Sequence, residues 1–329
     1  YRVNNVAVPN YDVTNDALWG KIKLTCNKNA EWYLTLEADG LNKIEFYQKR
    51  GNGDWTQKEM GNAMPVENSA FFGRAALKLD VRAGDTTLLM FRVHDFEPLQ
   101  FNIHIGTMAS FVNTFHNTDL YYGICFGVIF MMCLYNWYLY ITQKQKAYLY
   151  YVLYVFCNAI FLMVFAEYFF HLPYVLRQLI LFDPVLFPAA FGAFLVLFTI
   201  ELFKEQLTKR RITVLYAFIA IVACDAIIGA TPFKLVAFNM LRGFGLLLGV
   251  ICLRTGFVGL NKGSSAAKFY LIDFSSYPGV IAFLILLGYL IPANTVSVKL
   301  VVPGSMLECI FLSFAQADKL KVFLVEKEK

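Results

Sequence analysis

Five of the ionisable residues that lie within the long apolar runs of the second part of the sequence could form a functional site. Asp225, Arg242 and Glu308 fall near the middle of such runs, whereas Glu167 and Asp273 lie nearer to their ends. Because a charged group is costly to place in a bilayer, residues of this kind are candidates for function. They predict a polar network in which Arg242 pairs with Asp225 or Glu308 and changes partner between two states. A static salt bridge that fixes helix packing is the alternative.

A second set of candidates lies in the first third of the chain. Four polar side chains occupy alternate positions of the last two predicted strands: Arg92, His94, Asn102 and His104. They would share one outward face if those two strands pair. Trp55 sits in a glycine-rich loop, where an aromatic ring can stack on a sugar. These residues predict an extracellular ligand site, and a solvated sheet face with a loop anchor is the alternative.

The sequence shows no arrangement of residues that is typical of a catalytic site or of a structural zinc site. The four histidines all lie outside the apolar runs, and no nucleophile–base pair is recognisable within them. The seven cysteines include no Cys-x-x-Cys pair and no Cys/His cluster, which argues against a structural zinc site. The sequence therefore predicts no enzymatic activity and no cofactor for this chain, and it leaves open whether another metal ion binds.

The composition changes sharply near Asn117. Up to that residue, 12 Lys and Arg accompany 13 Asp and Glu, which is ordinary for a soluble domain. From Thr118 onward, 17 Lys and Arg accompany 11 Asp and Glu, and these charges form short clusters between long apolar runs. The positive charge of the chain therefore belongs to loops between membrane spans, and it does not indicate nucleic-acid binding.

Seven apolar runs are long enough to cross a bilayer, which takes about 20 residues of helix. They cover 119–142, 147–170, 184–203, 212–230, 235–259, 267–291 and 298–318. Thirteen Lys and Arg fall in the odd-numbered loops and the C-terminal end, against three in the even-numbered loops. Because positive loops stay in the cytoplasm, this predicts a multi-pass membrane protein with its N-terminus outside and its C-terminus in the cytoplasm.

Residues 18–106 alternate apolar and polar side chains with a period of two. Ile22 and Leu24 alternate with lysines, and Phe91 and Val93 flank Arg92. Turn sequences containing glycine and aspartate separate these short segments. Six or seven strands that each bury one face predict a two-sheet β-sandwich.

Short aromatic motifs mark the start of the helical region. Tyr121-Tyr122-Gly123, Leu134-Tyr135-Asn136 and the segment Tyr148–Tyr154 follow one another over the first two runs, and Leu312–Leu320 closes the last run. This series resembles the membrane region of bacterial seven-transmembrane receptors with diverse intracellular signalling modules. The resemblance implies a seven-helix bundle in the bacterial inner membrane that passes a signal to a cytoplasmic module.

The N-terminal region is similar to the type 2 extracellular domain of the same family, a jelly-roll with the character of a carbohydrate-binding module. Leu18-Trp19 matches its opening strand, and Leu34–Tyr47 matches a following pair of strands. Ala83-Gly84-Asp85 precedes a further matching strand, Leu88–Val93. The resemblance therefore covers most of the chain.

The expected fold is an extracellular all-β jelly-roll or β-sandwich followed by an all-α bundle of seven transmembrane helices. We place the sandwich at 1–112, the bundle at 113–320 and the start of a cytoplasmic signalling helix at 321–329. The resemblance implies a receptor that senses an extracellular ligand, with a carbohydrate or an ion as candidates. Its output module would be a histidine kinase or a nucleotide cyclase.

The expected partners follow from the same resemblance. They are the lipid bilayer, a small extracellular ligand and the cytoplasmic module, and no nucleic acid is expected. A homodimer is expected because a signalling helix needs a partner for its short apolar stripe of Leu320, Phe323 and Leu324, and an amphipathic helix lying on the membrane is the alternative. The alternative function is a transporter or channel that uses the intramembrane charged residues as its path, although the two halves of the bundle show no internal repeat.

Overall fold

The chain consists of two compact units. The computed structural model describes residues 16–38, 43–61, 76–94, 101–166, 168–274 and 296–327. One unit comprises Tyr1–Tyr121 with Met163–Leu181, and the other comprises Tyr122–Leu162 with Phe182–Lys329.

The first unit contains two antiparallel sheets. Its strands are β1 (Leu18–Thr25), β2 (Trp32–Ala38), β3 (Ile44–Arg50), β4 (Thr56–Met60), β5 (Ala76–Leu79), β6 (Thr86–Val93) and β7 (Phe101–Thr107). The larger sheet has the order β1-β6-β3-β4, and the smaller sheet has the order β5-β2-β7. The predicted two-sheet sandwich is confirmed.

The core of the sandwich is built from the apolar positions of the alternating pattern. Buried side chains from the two sheets pack together, and they include Leu34, Phe46, Leu77 and Phe91. Each such side chain contributes about 1.5–3 kcal/mol of hydrophobic stabilisation. Gly20 faces Phe91 across the β1–β6 pair, and a Cβ atom at Gly20 would overlap the phenyl ring. Only glycine leaves room for that ring.

The last two strands do not pair with each other, so the condition for a shared polar face is not met. Strand β6 lies between β1 and β3, so both of its edges are occupied, and β7 pairs with β2 in the other sheet. The chain crosses between sheets at this point so that Phe91 and Ile103 can both face the common core. Arg92 and His104 alternate with those core residues and therefore lie on opposite outer faces of the sandwich.

Helix α1 (Met108–Gln143) follows β7 with no residue between them. Its 36 residues are about 54 Å long, whereas a hydrocarbon core is about 30 Å thick. The first turns pack against the outer face of the smaller sheet, where Phe111 contacts Tyr33 and Ala76 in one apolar cluster. The start of α1 is thus part of the sandwich unit, well before the predicted first span.

The other helices form the second unit, apart from most of α3 and the end of α2. They are α2 (Lys146–Phe165), α3 (Tyr174–Phe182), α4 (Leu186–Leu202), α5 (Lys209–Gly229), α6 (Lys234–Asn261), α7 (266–274) and α8 (Val296–Lys327). Their sequences are mostly apolar, and a helix satisfies its backbone N–H and C=O groups within one segment, as hydrocarbon requires.

Several of these helices match the predicted spans. In the part of the chain that the structure describes, four helices are long and apolar enough to cross a membrane: α1, α2, α5 and α6. A fifth is added if the bent pair α3 and α4 forms one span. The predicted span 298–318 lies within α8. Most of the predicted span 267–291 falls outside the described residues.

Candidate functional site

The outer face of the larger sheet carries a row of polar and aromatic side chains. The strand register places Trp19 opposite Arg92, Arg92 opposite Glu45, and Glu45 opposite Glu59. These residues alternate with core residues, so their side chains point away from the core. Four neighbouring strands thereby bring residues that are far apart in sequence into one line.

Aromatic rings lie beside this row. The Trp19 and Tyr47 rings stack with centroids 5.9 Å apart and planes inclined by 24°. The Arg92 guanidinium carbon lies 6.0 Å from the centroid of the Trp19 ring, within the range of a cation–π contact. We call the set Trp19, Lys43, Glu45, Tyr47 and Arg92 the aromatic–ionic face.

Glu45 is the centre of the charges on this face. Its carboxylate accepts from Arg92 at 3.1 Å, and it lies 3.3 Å from Lys43. The hydroxyl of Tyr47 donates to the same carboxylate over 3.1 Å. The hydrogen bond from Arg92 is the main reason why the pKa of Glu45 is lowered, while burial opposes that shift. Glu45 is therefore an anion at neutral pH.

The Lys43 ammonium group bridges two carboxylates at the edge of the same face. It lies 3.0 Å from Glu59 and 3.3 Å from Glu45. Hydrogen bonds to Glu59 and then Glu45 raise the pKa of Lys43 despite partial burial. The aromatic–ionic face thus has fixed charges of both signs.

The exposed parts of the face are suited to contact a ligand. Trp19 is 53% exposed, and the Arg92 side chain is 38% exposed, whereas the Glu45 side chain is only 13% exposed. An exposed ion pair contributes about 0–1 kcal/mol to stability, so folding gains little from this arrangement. Glu45 fixes the position of Arg92, and Arg92 and Trp19 present a hydrogen-bonding fork beside an aromatic ring.

The other predicted residues of the sandwich are not brought together with Arg92. His94 follows the end of β6 and is exposed, and Trp55 precedes β4 at the far end of the β3–β4 hairpin. His104 is half-buried on the smaller sheet, opposite Thr35. Asn102 is also on β7, opposite Glu37. The four-residue polar face predicted from sequence therefore does not form, because β6 and β7 belong to different sheets.

In the second unit, one face of α8 carries buried polar groups. Ser305, Glu308, Cys309, Ser313 and Gln316 recur at helical spacing, and all are nearly inaccessible. We call these five residues the α8 polar stripe. Residues three or four apart lie on the same side of a helix, so the stripe faces its neighbours continuously.

Three contacts join the α8 polar stripe to α2. The Asn158 side-chain amide donates to Ser305 Oγ over 2.5 Å, and the Tyr151 hydroxyl donates to the Cys309 carbonyl over 2.6 Å. Gln316 Nε2 donates to the Ala147 carbonyl over 3.0 Å. As the residue numbers of the contacts increase along α8, those of their partners decrease along α2, so the two helices run antiparallel.

Two further contacts connect α8 to other helices. The Asn136 amide of α1 donates to Ser313 Oγ over 3.2 Å. Beyond the stripe, Lys319 Nζ donates to the carbonyl oxygens of Glu201 and Leu202 over 2.7 and 2.8 Å. Those carbonyls lie in the last turn of α4, where the helix end carries partial negative charge.

Buried carboxylates are the remaining intramembrane candidates. Glu308 lies beside Tyr154 and is close enough to Asp273 of α7 for the two charges to interact, and both carboxylates are buried. Asp225 of α5 is also buried. Arg242 contributes to neither group: its guanidinium carbon lies 5.2 Å from the Phe238 ring centroid.

The predicted pairing of Arg242 is therefore not found. Within the described residues, no ion pair joins it to Asp225 or Glu308, because it lies against an aromatic ring of its own helix, one turn away. Glu167, the fifth intramembrane candidate, lies outside the described residues.

Comparison with known families decides the identity of the fold. Residues 118–319 match the family described as 7TM diverse intracellular signalling. Residues 1–107 match the domain described as 7TMR-DISM extracellular 2. The chain belongs to the 7TM diverse intracellular signalling family. A search of the curated proteins finds no match.

Membership of the 7TM diverse intracellular signalling family confirms the resemblance seen in the motifs, and it makes the chain a membrane protein of a signalling-receptor family. The aromatic–ionic face lies in the extracellular 2 domain, and the α8 polar stripe lies in the 7TM domain. The two sites are thus assigned to the two recognised parts of such a protein.

Sequence reasoning missed most partners in both sites. Tyr47 and Glu45 looked like outward positions of an ordinary strand, since only strand order shows that they meet Trp19 and Arg92. Asn136 and Asn158 were recognisable as packing residues of spans, but their serine partners were not. A search for polar residues repeating every three or four positions in the last apolar run would have found the α8 polar stripe.

Proposed function

We propose that this chain is the sensing and transmembrane part of a bacterial receptor that binds a small extracellular ligand. The aromatic–ionic face is the observation that carries the proposal. On this face, Trp19 is an exposed flat ring and Arg92 is a hydrogen-bond donor held in position by Glu45. The domain also resembles a family of extracellular domains that have the character of carbohydrate-binding modules. A carbohydrate is the ligand class that this combination favours, and an ion is the second candidate.

The junction between strand and helix supports a route for the signal. Strand β7 passes into α1 without a linker, and Phe111 and Phe115 anchor the first turns of α1 in the sandwich unit. A ligand that binds one state of the sandwich more tightly shifts the equilibrium toward that state. Because α1 begins directly after β7 and continues unbroken to Gln143, this helix is the route that we propose for the signal.

The exit route in this proposal is α8. The α8 polar stripe holds this helix in one position, and α8 continues to Lys327. A shift of α8 would break several buried hydrogen bonds together, so two discrete arrangements are favoured over gradual sliding. The proposal places the end of α8 in the cytoplasm, where it would act within a homodimer on a histidine kinase or nucleotide cyclase module.

A ligand screen on the whole solubilised chain tests the proposal. Neutral and acidic monosaccharides and oligosaccharides are added, together with divalent ions, and the thermal unfolding midpoint, Tm, is measured. A ligand that binds only the folded protein raises Tm as its concentration rises. We expect Trp19→Ala and Arg92→Ala to abolish the rise, and Trp55→Ala, which alters an exposed tryptophan at the other end of the β3–β4 hairpin, to retain it.

The outcomes separate the receptor hypothesis from its rival. A carbohydrate response that depends on Trp19 and Arg92 assigns sensing to the aromatic–ionic face. A response that survives both substitutions moves the ligand site away from this face. Ligand-dependent solute flux in liposomes, with no effect of the ligand on the conformation of α8, would instead favour the transporter or channel.

A further inference from the structure

A buried carboxylate with no hydrogen-bond partner lies near the end of α5. Asp225 is 1% exposed, and neither of its side-chain oxygens has a hydrogen-bond partner within the described residues. An unpaired carboxylate in such a place is unfavourable as an anion unless it takes up a proton or a cation neutralises it. The α8 polar stripe does not involve this residue, and Arg242 does not pair with it.

A second carboxylate faces the same end of α5. Asp183 lies in the break between α3 and α4 and is also buried. Its Oδ1 accepts a hydrogen bond from the Val185 amide over 3.0 Å. A Cβ atom added at Gly229 would overlap that oxygen, so the Asp183 carboxylate rests directly on the backbone of α5. Asp225 is one helical turn before Gly229, and the charges of the two aspartates interact.

The surroundings of this pair favour a positive charge. The C-terminal end of α5 carries partial negative charge from its last carbonyl groups. Lys234, at the start of α6, is near enough to act on Asp183. When both aspartates are ionised, their two negative charges and the helix C-terminus outweigh the single positive charge of Lys234. The buried site then has a net negative charge.

We propose that Asp183 and Asp225 form a binding site for a hard metal cation that prefers oxygen ligands, with Ca²⁺ as the first candidate. The described residues contain no group of three or more His, Cys, Asp and Glu side chains arranged for a metal ion. A zinc site is therefore disfavoured, whereas calcium sites combine a few carboxylates with backbone carbonyl and water oxygens. Gly229 is required because any side chain there would displace Asp183.

The proposed cation would join three segments of the bundle. Asp183 precedes α4, Asp225 is on α5, and α6 begins at Lys234 after a short turn. This site is separate from the aromatic–ionic face and does not depend on the carbohydrate hypothesis. A cation bound there would stabilise the packing of α4 against α5.

The experiment uses the whole chain in detergent after treatment with a chelator. Tm is measured during titration with CaCl₂ at constant ionic strength, and MgCl₂ and NaCl are titrated in parallel. We expect a saturable rise of Tm with Ca²⁺ in the unchanged protein. Equilibrium dialysis with radioactive Ca²⁺ is expected to give one bound ion per chain.

Three variants locate the site. Asp225→Asn and Asp183→Asn keep the side-chain volume, relieve the charge repulsion and should fold, and each should lose the Tm response and the bound ion. Gly229→Ala keeps both charges but displaces Asp183, so it should weaken Ca²⁺ affinity at least tenfold. Glu201→Gln is the matched control, because it removes a carboxylate at another helix end of the same bundle and should leave binding unchanged.

The proposal is overturned by two results. One is a Tm of the unchanged protein that stays flat across the calcium, magnesium and sodium series. The other is a calcium response that is the same in Asp225→Asn as in the unchanged protein. A loss of carbohydrate binding leaves this proposal intact, and a loss of cation binding leaves the carbohydrate hypothesis intact, so the two failures are distinguishable.

Discussion

The hydroxyl group of Tyr151 on α2 donates a 2.6 Å hydrogen bond to the carbonyl oxygen of Cys309 on α8, and both residues are fully buried. Such a bond ties the exit helix to a helix from the start of the bundle. Neighbouring contacts between Asn158 and Ser305 and between Gln316 and Ala147 repeat the same connection. The position of α8 is therefore set by directional contacts as well as by apolar packing.

Tyr151→Phe removes only the hydroxyl group of this contact. We expect the free energy of unfolding to fall by about 0.5–1.5 kcal/mol, since the aromatic ring still fills its place. Unfolding of the solubilised protein by a denaturing detergent measures the change. Tyr150→Phe, on the half-buried neighbouring position, is the matched control and should leave stability unchanged. Equal stability of all three proteins would show that the Tyr151 hydroxyl contributes nothing.

Lys319→Met tests the contact between α8 and the end of α4. The substitution keeps a long side chain but removes two hydrogen bonds from an ammonium group, which are each worth about 1.5–3 kcal/mol when one partner is charged. We expect faster amide hydrogen exchange after residue 315. Lys321→Met changes an exposed lysine two residues away and should leave exchange as it is. If the amide hydrogens after residue 315 exchange at the same rate in Lys319→Met and Lys321→Met, Lys319 does not stabilise the end of α8.

Phe111→Ala tests whether the start of α1 belongs to the sandwich. Phe111 is buried against the smaller sheet, and removal of a buried phenyl ring costs about 3–5 kcal/mol. Unfolding followed by tryptophan fluorescence should move to a lower temperature, because three of the four tryptophans, Trp19, Trp32 and Trp55, lie in the sandwich. Val112→Ala, at an exposed neighbouring position, should have little effect. A larger effect of Val112→Ala than of Phe111→Ala would contradict the packing described.

Arg92→Leu tests the electrostatics of the aromatic–ionic face through pH. Because the hydrogen bond from Arg92 lowers the pKa of folded Glu45 below its ordinary value, the stability that it contributes is fully present above that value. This stability is lost as the pH falls through the folded pKa. The unchanged protein should therefore lose stability between about pH 5 and pH 3, and we call this part of its pH–stability curve the acid limb. Arg92→Leu should be less stable at pH 7 and should have a flatter acid limb.

The measurement is the fluorescence-detected Tm of the sandwich as a function of pH. Lys23→Leu is the matched control, because it removes an exposed cation from β1 on the same sheet, where the strand register pairs Lys23 with Leu88, four residues from Arg92. Its acid limb should follow that of the unchanged protein. An equally steep acid limb in Arg92→Leu would mean that Arg92 does not control the ionisation of Glu45.

The sequence alone determined the class of this protein. Period-two alternation around residues such as Phe91 and Ile22 predicted a sandwich, and long apolar runs predicted membrane helices. Both are local properties: each strand buries one face, and each span must satisfy its own backbone hydrogen bonds. The aromatic motifs around Tyr121 and Tyr148 identified the family for the same reason, since they can be read along the chain.

Only the tertiary structure decided which of these residues meet. Arg92 joins Glu45 and Trp19 because β6 lies between β3 and β1, and strand order depends on how two sheets share a core. Asp183 lies near Asp225 because the break between α3 and α4 falls next to Gly229, which leaves room for the Asp183 carboxylate. Contacts across large sequence separations arise from packing geometry, which the period and composition of a single segment do not encode.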